Sequence, residues 1–202
     1  GRTRQIMARR SRNVLVIDRL LARLAQGRTV LVLGSRIEHM EQVHAELVEQ
    51  HRVATGIIVG EHSKGYRMPI LGDDGVVTHR AIKASGLSAE ERLAQQKHRI
   101  IIATSSIVCK ALNIPHLDTV IGALSGGSNV NATFWEQCIG RATRDHPDKK
   151  KPEIVLFRDR YESALNPGTD GVMAGCVDAA CMTMRRMSSK GFTFESHAVA
   201  LD

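Results

Sequence analysis

The most informative donors in this chain lie in the segment TFWEQCIGRATR, Thr133 to Arg144. Thr133 and Glu136 stand three residues apart, the spacing of a reciprocal capping box, which begins a helix there. At 3.6 residues per turn, Gln137, Arg141 and Arg144 then fall within about 60° of one another. Trp135, Ile139 and Ala142 collect on the opposite side, toward a sheet. Two planar guanidiniums and an amide on one face form a forked donor array that matches phosphate oxygens. The same array also suits an exposed basic face, because arginine near a helix carboxyl end is favoured by the dipole. Gly140 costs helix stability, up to about 1 kcal/mol relative to alanine. A glycine there makes sense where something must approach the backbone closely.

Three other places end an apolar run in small, hydroxyl or basic residues: Gly34-Ser35-Arg36, Gly60, and Thr104-Ser105-Ser106. A hydroxyl-rich strand end opening into a helix offers N–H and O–H groups to a phosphate. His39, His44, His51 and His79 are expected at the surface and not in catalysis. Cys109, Cys138, Cys176 and Cys181 show neither CxxC spacing nor zinc-like clustering with histidine. Cys176 and Cys181, five apart in an apolar helical stretch, are expected to be buried free thiols, and a reducing, intracellular compartment follows.

These groups need elements to hold them. TVLVLG (29–34), VATGIIVG (53–60), RIIIAT (99–104), DTVIGAL (118–124) and EIVLF (153–157) are short apolar runs, the mark of strands buried on both faces of a parallel sheet. Helical periodicity over Asn13–Ala25, Glu38–Glu49, Ser88–Gln96, Thr133–Arg144 and about Gly171–Met187 fills the gaps. The alternation predicts an α/β fold, an open parallel β-sheet flanked by helices on both faces. Ligands in such sheets gather at the carboxyl ends of the strands, so those ends and the arginine helix are expected to meet on one rim. Between the second strand and the next helix, Glu61–Gly86 is long for a connection. YRMPIL and VVTHRAIK flank Gly72-Asp73-Asp74-Gly75, which predicts an inserted β-hairpin carrying Lys64, Arg67, Arg80 and Lys83. A solvated surface hairpin is its simplest reading.

The 202 residues suit one domain, 1–202, with 61–86 inserted in it. Lysine plus arginine exceed aspartate plus glutamate by 28 to 21, a net charge of +7 that suits a polyanionic partner. Aromatic residues make up 3%, too few for a base-stacking platform. No run approaches the ~20 apolar residues of a membrane helix, and the basic start GRTRQIMARRSR has no apolar run behind it.

Three segments together resemble a known family. VLVLGSRIEHMEQVHAEL looks like helicase motif IV, ATSSIVCKALNIPHLDTVI is similar to motif V, and QCIGRATR matches the QxxGRxxR of motif VI. They stand in the order found in the second RecA-like lobe of superfamily 2 helicases and translocases. The phrasing is most similar to phage and large-DNA-virus helicases of the UvsW-like group, and the resemblance covers roughly Asn13 to Phe157. It implies a RecA-like sheet and the C-terminal lobe of an ATP-dependent helicase. Arg141 and Arg144 would be an arginine-finger pair, and Gln137 would couple the nucleotide cleft to the nucleic acid. Asn113, where the family often has aspartate, and Gly140 would lie by the nucleotide. Ser35, Arg36, Gly60, Thr104 and Ser105 would touch a nucleic-acid backbone. Ala111 replaces the usual motif V glycine, and 61–86 departs from the family pattern, with a strand-separating pin as one role.

The sequence has no Gly-Lys and no Asp-Glu dipeptide, so neither a Walker A loop nor a DEAD-type motif is present. ATP with Mg2+ would be bound mainly by an N-terminal RecA-like lobe of a parent protein, and this chain alone would not hydrolyse it. The start Gly-Arg-Thr-Arg is consistent with a domain of something larger. Single-stranded or duplex DNA, or RNA, is the expected partner, without a membrane, in the cytoplasm of the cell or of a phage or viral host. The alternative is a stand-alone nucleic-acid-binding or regulatory module without catalysis. A small-molecule transferase on the same sheet would need a catalytic acid or nucleophile, and no residue stands out as one.

Overall fold

The computed structural model describes residues 10–60, 65–83, 85–107, 112–123, 137–138, 140–144, 146–147, 149–157, 160–163, 166–172, 188–189 and 193. Helix α1 spans Arg10–Ala25, strand β1 Val30–Gly34, helix α2 Ile37–Glu49 and strand β2 Gly56–Ile58. Strands β3 (Tyr66–Leu71) and β4 (Val77–Ile82) follow, then helix α3 (Ala89–Gln95) and strand β5 (Ile100–Thr104). Strands β6 (Thr119–Gly122), β7 (Glu153–Leu156), β8 (Arg160–Ser163) and β9 (Asn166–Val172) complete the order.

Five strands form one parallel sheet in the order β2-β5-β1-β6-β7. Every residue of β1, β2, β5 and β6 is buried, as continuous apolar runs in a parallel sheet require. Alternation across the strands divides the core in two. Val30, Val32, Ile57, Ile100, Ile102 and Ile121 face Val16, Ile17 and Leu20 of α1 and Met40, Val43 and Leu47 of α2. Leu31, Leu33, Ile58, Ile101, Ala103 and Val120 face the opposite way, toward Leu112, Ile114, Leu117, Cys138 and Ala142. The segment that carries the arginines therefore covers one face, and α1 and α2 cover the other.

At the amino ends of the strands, an ion-pair network ties the termini together. Arg23 Nη2 lies 2.5 Å from Glu153 Oε1, and Arg28 reaches Glu153 Oε2 at 3.5 Å and Asp118 Oδ1 at 3.7 Å. Thr119 Oγ1 donates to Asp118 at 2.7 Å.

The insertion is a hairpin with the expected strands and turn. Tyr66 pairs with Ile82 and Leu71 with Val77. Gly75 closes the turn at φ +76, where an L side chain is strained, while Val76 N donates to Asp74 Oδ1 at 2.9 Å. It is not simply solvated, however. Met68 and Ile82 enter the core beside α2, Tyr66 Oη sits 3.1 Å from His44 Nδ1, and His79 Nε2 lies 3.0 Å from Glu49. Tyr66 thus lies level with the middle of α2 and His79 level with its last residue. The turn at 72–75 points past the carboxyl end of α2, away from the strand carboxyl rim.

Other expectations need correction. The second strand, expected over 53–60, covers only Gly56–Ile58. Val53 N is taken by Leu47 O at 3.0 Å after a left-handed turn at Arg52 (φ +54), and Ile57 N by the side chain of Gln95 at 3.1 Å. His39 and His44 are buried, at 3% and 1% exposure, because they fall on the apolar stripe 39, 40, 43, 44, 47, 48 of α2. Gly171 and Val172 belong to strand β9, paired antiparallel with β8, and not to a helix; residues 173–187 of that expected helix lie outside the described residues. So do Thr133, Trp135, Glu136, Ile139, Lys64, Ala111, Cys109, Cys176 and Cys181. Cys138 is a buried thiol.

Candidate functional site

The strand carboxyl ends bring one group of the expected residues together. Gly34 is in register with Thr104 across β1 and β5. Ser35 and Arg36 are exposed, and Arg36 is the residue before α2, extended at φ −120 and ψ 134 with no side-chain cap. The first amides of α2 consequently open onto this rim. Gly60 lies there too, since a Cβ built on it would meet only Ile107 Cδ1 at 4.0 Å. Thr104 differs from expectation: it is 2% exposed, and its Oγ1 is 3.3 Å from Ser106 Oγ. Ser106 is exposed and Ser105 half-buried, so these two hydroxyl residues face outward more than Thr104 does.

A second group forms around the arginines. Residues 137, 138 and 140–142 are helical. Cys138 and Ala142 are fully buried against Leu31, Leu33, Ile101 and Leu117, while Gln137, Gly140 and Arg144 are exposed and Arg141 is half-buried. The described part is helical through Ala142, and Arg144, expected within the helix, lies in the bend that follows it. A Cβ on Gly140 would meet nothing within 4 Å, which leaves open space beside the arginines. Arg144 Nη1 donates to Asn113 Oδ1 at 3.4 Å, bringing together two residues 31 positions apart in the chain. The partner is an amide and not a carboxylate, so the guanidinium charge is not cancelled there.

Two residues missed in the sequence hold this group. Gln96, mostly buried at the end of α3, accepts Asn113 N through its Oε1 at 3.0 Å. Lys149 Nζ donates to Arg144 O at 2.6 Å and Arg141 O at 3.5 Å, capping the last carbonyls of the helical segment as a cation should. The only signal for Lys149 was the run of three lysines after the arginines; for Gln96 there was none, since its partner is distant in sequence.

The two groups do not share one rim. Gln96 lies four residues before β5, and Gln95 O packs where a Cβ of Gly56, the first residue of β2, would stand. Asn113 and Arg144 thus sit toward the amino ends of the strands, and Thr104 closes the other end of β5, about 13 Å along the strand at 3.3 Å per residue. Arg144 therefore lies away from the strand carboxyl ends, where the arginine face was expected. The helical segment lies across the face of the sheet, and its buried side, Cys138 and Ala142, fixes which way the arginines project.

No family model and no curated protein sequence matches this chain. Solved structures do. The fold aligns with T4 UvsW over 94% of this chain and 34% of that one, at 14% identity and a TM-score of 0.52. It aligns with the C-terminal domain of the DEAD-box protein Dbp5 over 89% of this chain and 79% of that one, at 12% identity and a TM-score of 0.50. A looser likeness, TM-score 0.48 at 11% identity over 71% of this chain, is to the C-terminal part of the Fun30 ATPase domain, of which it spans 40%. The architecture is a RecA-like fold, a parallel sheet flanked by helices as in these structures. This chain spans about a third of T4 UvsW.

Proposed function

We propose that this chain is the C-terminal lobe of an ATP-dependent helicase or translocase, supplying arginine fingers and nucleic-acid backbone contacts to a cleft whose other wall is a first RecA-like lobe. The observation that carries this reading is the outward face of Gln137, Gly140, Arg141 and Arg144, backed by buried Cys138 and Ala142 and set against Asn113. The donors fit the oxygens of a triphosphate, and the open side of Gly140 leaves room for it. In this reading the Mg2+ that accompanies the nucleotide, and the phosphate cradle, belong to the first lobe. The bound nucleotide supplies the scissile phosphoanhydride. Arg141 and Arg144 set positive charge against its developing negative charge, Asn113 holds Arg144 in place, and Lys149 fixes the backbone that carries both. At the rim, Ser35, Arg36, Gly60 and Ser105 form the edge along which a sugar-phosphate backbone runs, with little sequence preference; buried Thr104 lies beneath it.

Separate faces for nucleotide and nucleic acid give lobe closure a lever, because movement of the arginine face against ATP carries the rim with it. In the two-lobed parent protein, Arg141→Ala and Arg144→Ala are each expected to cut ATP turnover by roughly 10³-fold or more. Binding of a DNA duplex should stay within about twofold of the unmutated protein. Turnover equal to wild type in both variants overturns the assignment.

A further inference from the structure

Away from the carboxyl rim, where a nucleic-acid backbone is placed above, exposed basic side chains among the described residues also gather at the other end of the sheet. Three loops meet there. Val30 N donates to Arg99 O at 2.8 Å, Arg28 Nη1 donates to Lys151 O at 3.0 Å, and Lys150 Nζ donates to Gln26 O. These bonds bring residues 26–28, 97–99 and 149–151 onto one surface. Arg99 Nη2 and Lys150 Nζ each lie 3.5 Å from where a Cβ of Gly27 would stand, so the two cations are at most about 7 Å apart. Lys97 and Lys151 are exposed on the same loops.

The acids of this end are already used. Glu153 pairs with Arg23 and Arg28, and Asp118 with Arg28 and Thr119. Among the described residues no carboxylate forms an ion pair with Lys97, Arg99, Lys150 or Lys151. Capping of the α1 carboxyl end accounts for one donor of Lys150; it does not account for like charges held side by side. Four exposed cations without a described carboxylate partner leave this surface positive, which attracts an anion of high, regular charge density. A duplex carries one charge per ~3.4 Å of axis on each strand, a spacing that two cations within about 7 Å can meet.

We propose that the amino-terminal end of the sheet, through Lys97, Arg99, Lys150 and Lys151, is a second nucleic-acid surface that binds the phosphate backbone of a duplex. This surface lies at the opposite end of the strands from the rim, and the proposal does not rest on the arginine pair. It holds or fails by duplex binding alone, whatever ATP turnover shows.

The test is fluorescence anisotropy of a labelled mixed-sequence 20-base-pair DNA duplex titrated with the 202-residue chain, from 50 to 200 mM KCl. Arg99→Gln with Lys150→Gln is expected to weaken binding at least about tenfold at 50 mM and to lower the slope of log affinity against log salt by about 2, at ~0.9 per phosphate. Arg99→Lys with Lys150→Arg keeps the charge and should restore both. Because Lys150 also caps Gln26, a second pair is decisive: Lys97→Gln with Lys151→Gln, whose side chains make no described hydrogen bond, should give a similar loss of slope. Unchanged affinity and slope in the second pair overturns the proposal, and so does weakened binding with an unchanged slope.

Discussion

His39 and His44 enter the core on the same stripe of α2, and each is held well below its ordinary value, at about 4, mainly by burial. For His39 the nearby Arg12 guanidinium adds to the effect; its Nε2 meets Asn13 Oδ1 at 2.9 Å, and His44 Nε2 meets Thr55 O at 3.1 Å. The unfolded chain accepts protons that these folded imidazoles refuse. Their contribution is therefore complete above pH 6.5 and is lost as pH falls toward 4, on the order of 3 kcal/mol for each. Glu41 acts in the opposite sense. Burial, and then Glu38, push its carboxyl up to about 7, so its contribution is present below about pH 4.5 and fades as pH rises through 7. Comparing His44→Gln with the unmutated chain isolates one imidazole. The fall in urea midpoint between pH 7 and pH 5 should be smaller in the variant, and equal falls contradict the buried, neutral His44. The sequence pointed to surface histidines because imidazole is usually exposed; only the stripe 39, 40, 43, 44, 47, 48 shows otherwise.

Elements defined by local chemistry were legible, and those defined by distant partners were not. β1, β5 and β6 announce themselves as apolar runs, and α3 by Ser88 and Glu91, whose side chains each bond the other's backbone in a capping box. β2 is shorter than its apolar run because His44, Gln95 and Leu47, all from other elements, take the backbone groups beside it. The hairpin β3–β4 was legible as a shape from its glycine-flanked turn. Its role was not, since docking on α2 depends on Met68, Ile82 and Tyr66 meeting a helix some twenty or more residues earlier. Replacing residues 66–82 with a short glycine-rich turn should uncover Met40, Val43 and Leu47 and destabilise the chain by several kcal/mol, about 2–4 of it for the Met68 site alone. Duplex affinity per folded molecule should stay within about twofold. A tenfold loss would return the hairpin to the nucleic-acid interface. Tyr66→Phe is a milder probe: losing the hydroxyl between His44 and Glu41 O should cost about 1 kcal/mol in chemical denaturation, and no change would show that the hydrogen bonds are not formed.

At the scale of the molecule, a single sheet separates three sets of charge-bearing residues: the rim at the strand carboxyl ends, the arginines over one face, and the lysines and Arg99 at the amino ends. The order of the segments 30–47, 103–121 and 137–144 was enough to anticipate the RecA-like fold. It was not enough to show that the arginines stand apart from the rim, because that depends on Gln96 holding Asn113 and on Cys138 and Ala142 setting the roll of the helical segment. The central claim is that two forked guanidiniums here complete a triphosphate-cleaving cleft with a second lobe. Its most direct test is single-turnover ATP hydrolysis by the two-lobed parent protein carrying Arg141→Lys and Arg144→Lys together, which keeps both charges and removes both forks. The account predicts a rate lowered by about 10² or more with duplex binding intact; hydrolysis at the unmutated rate would contradict it.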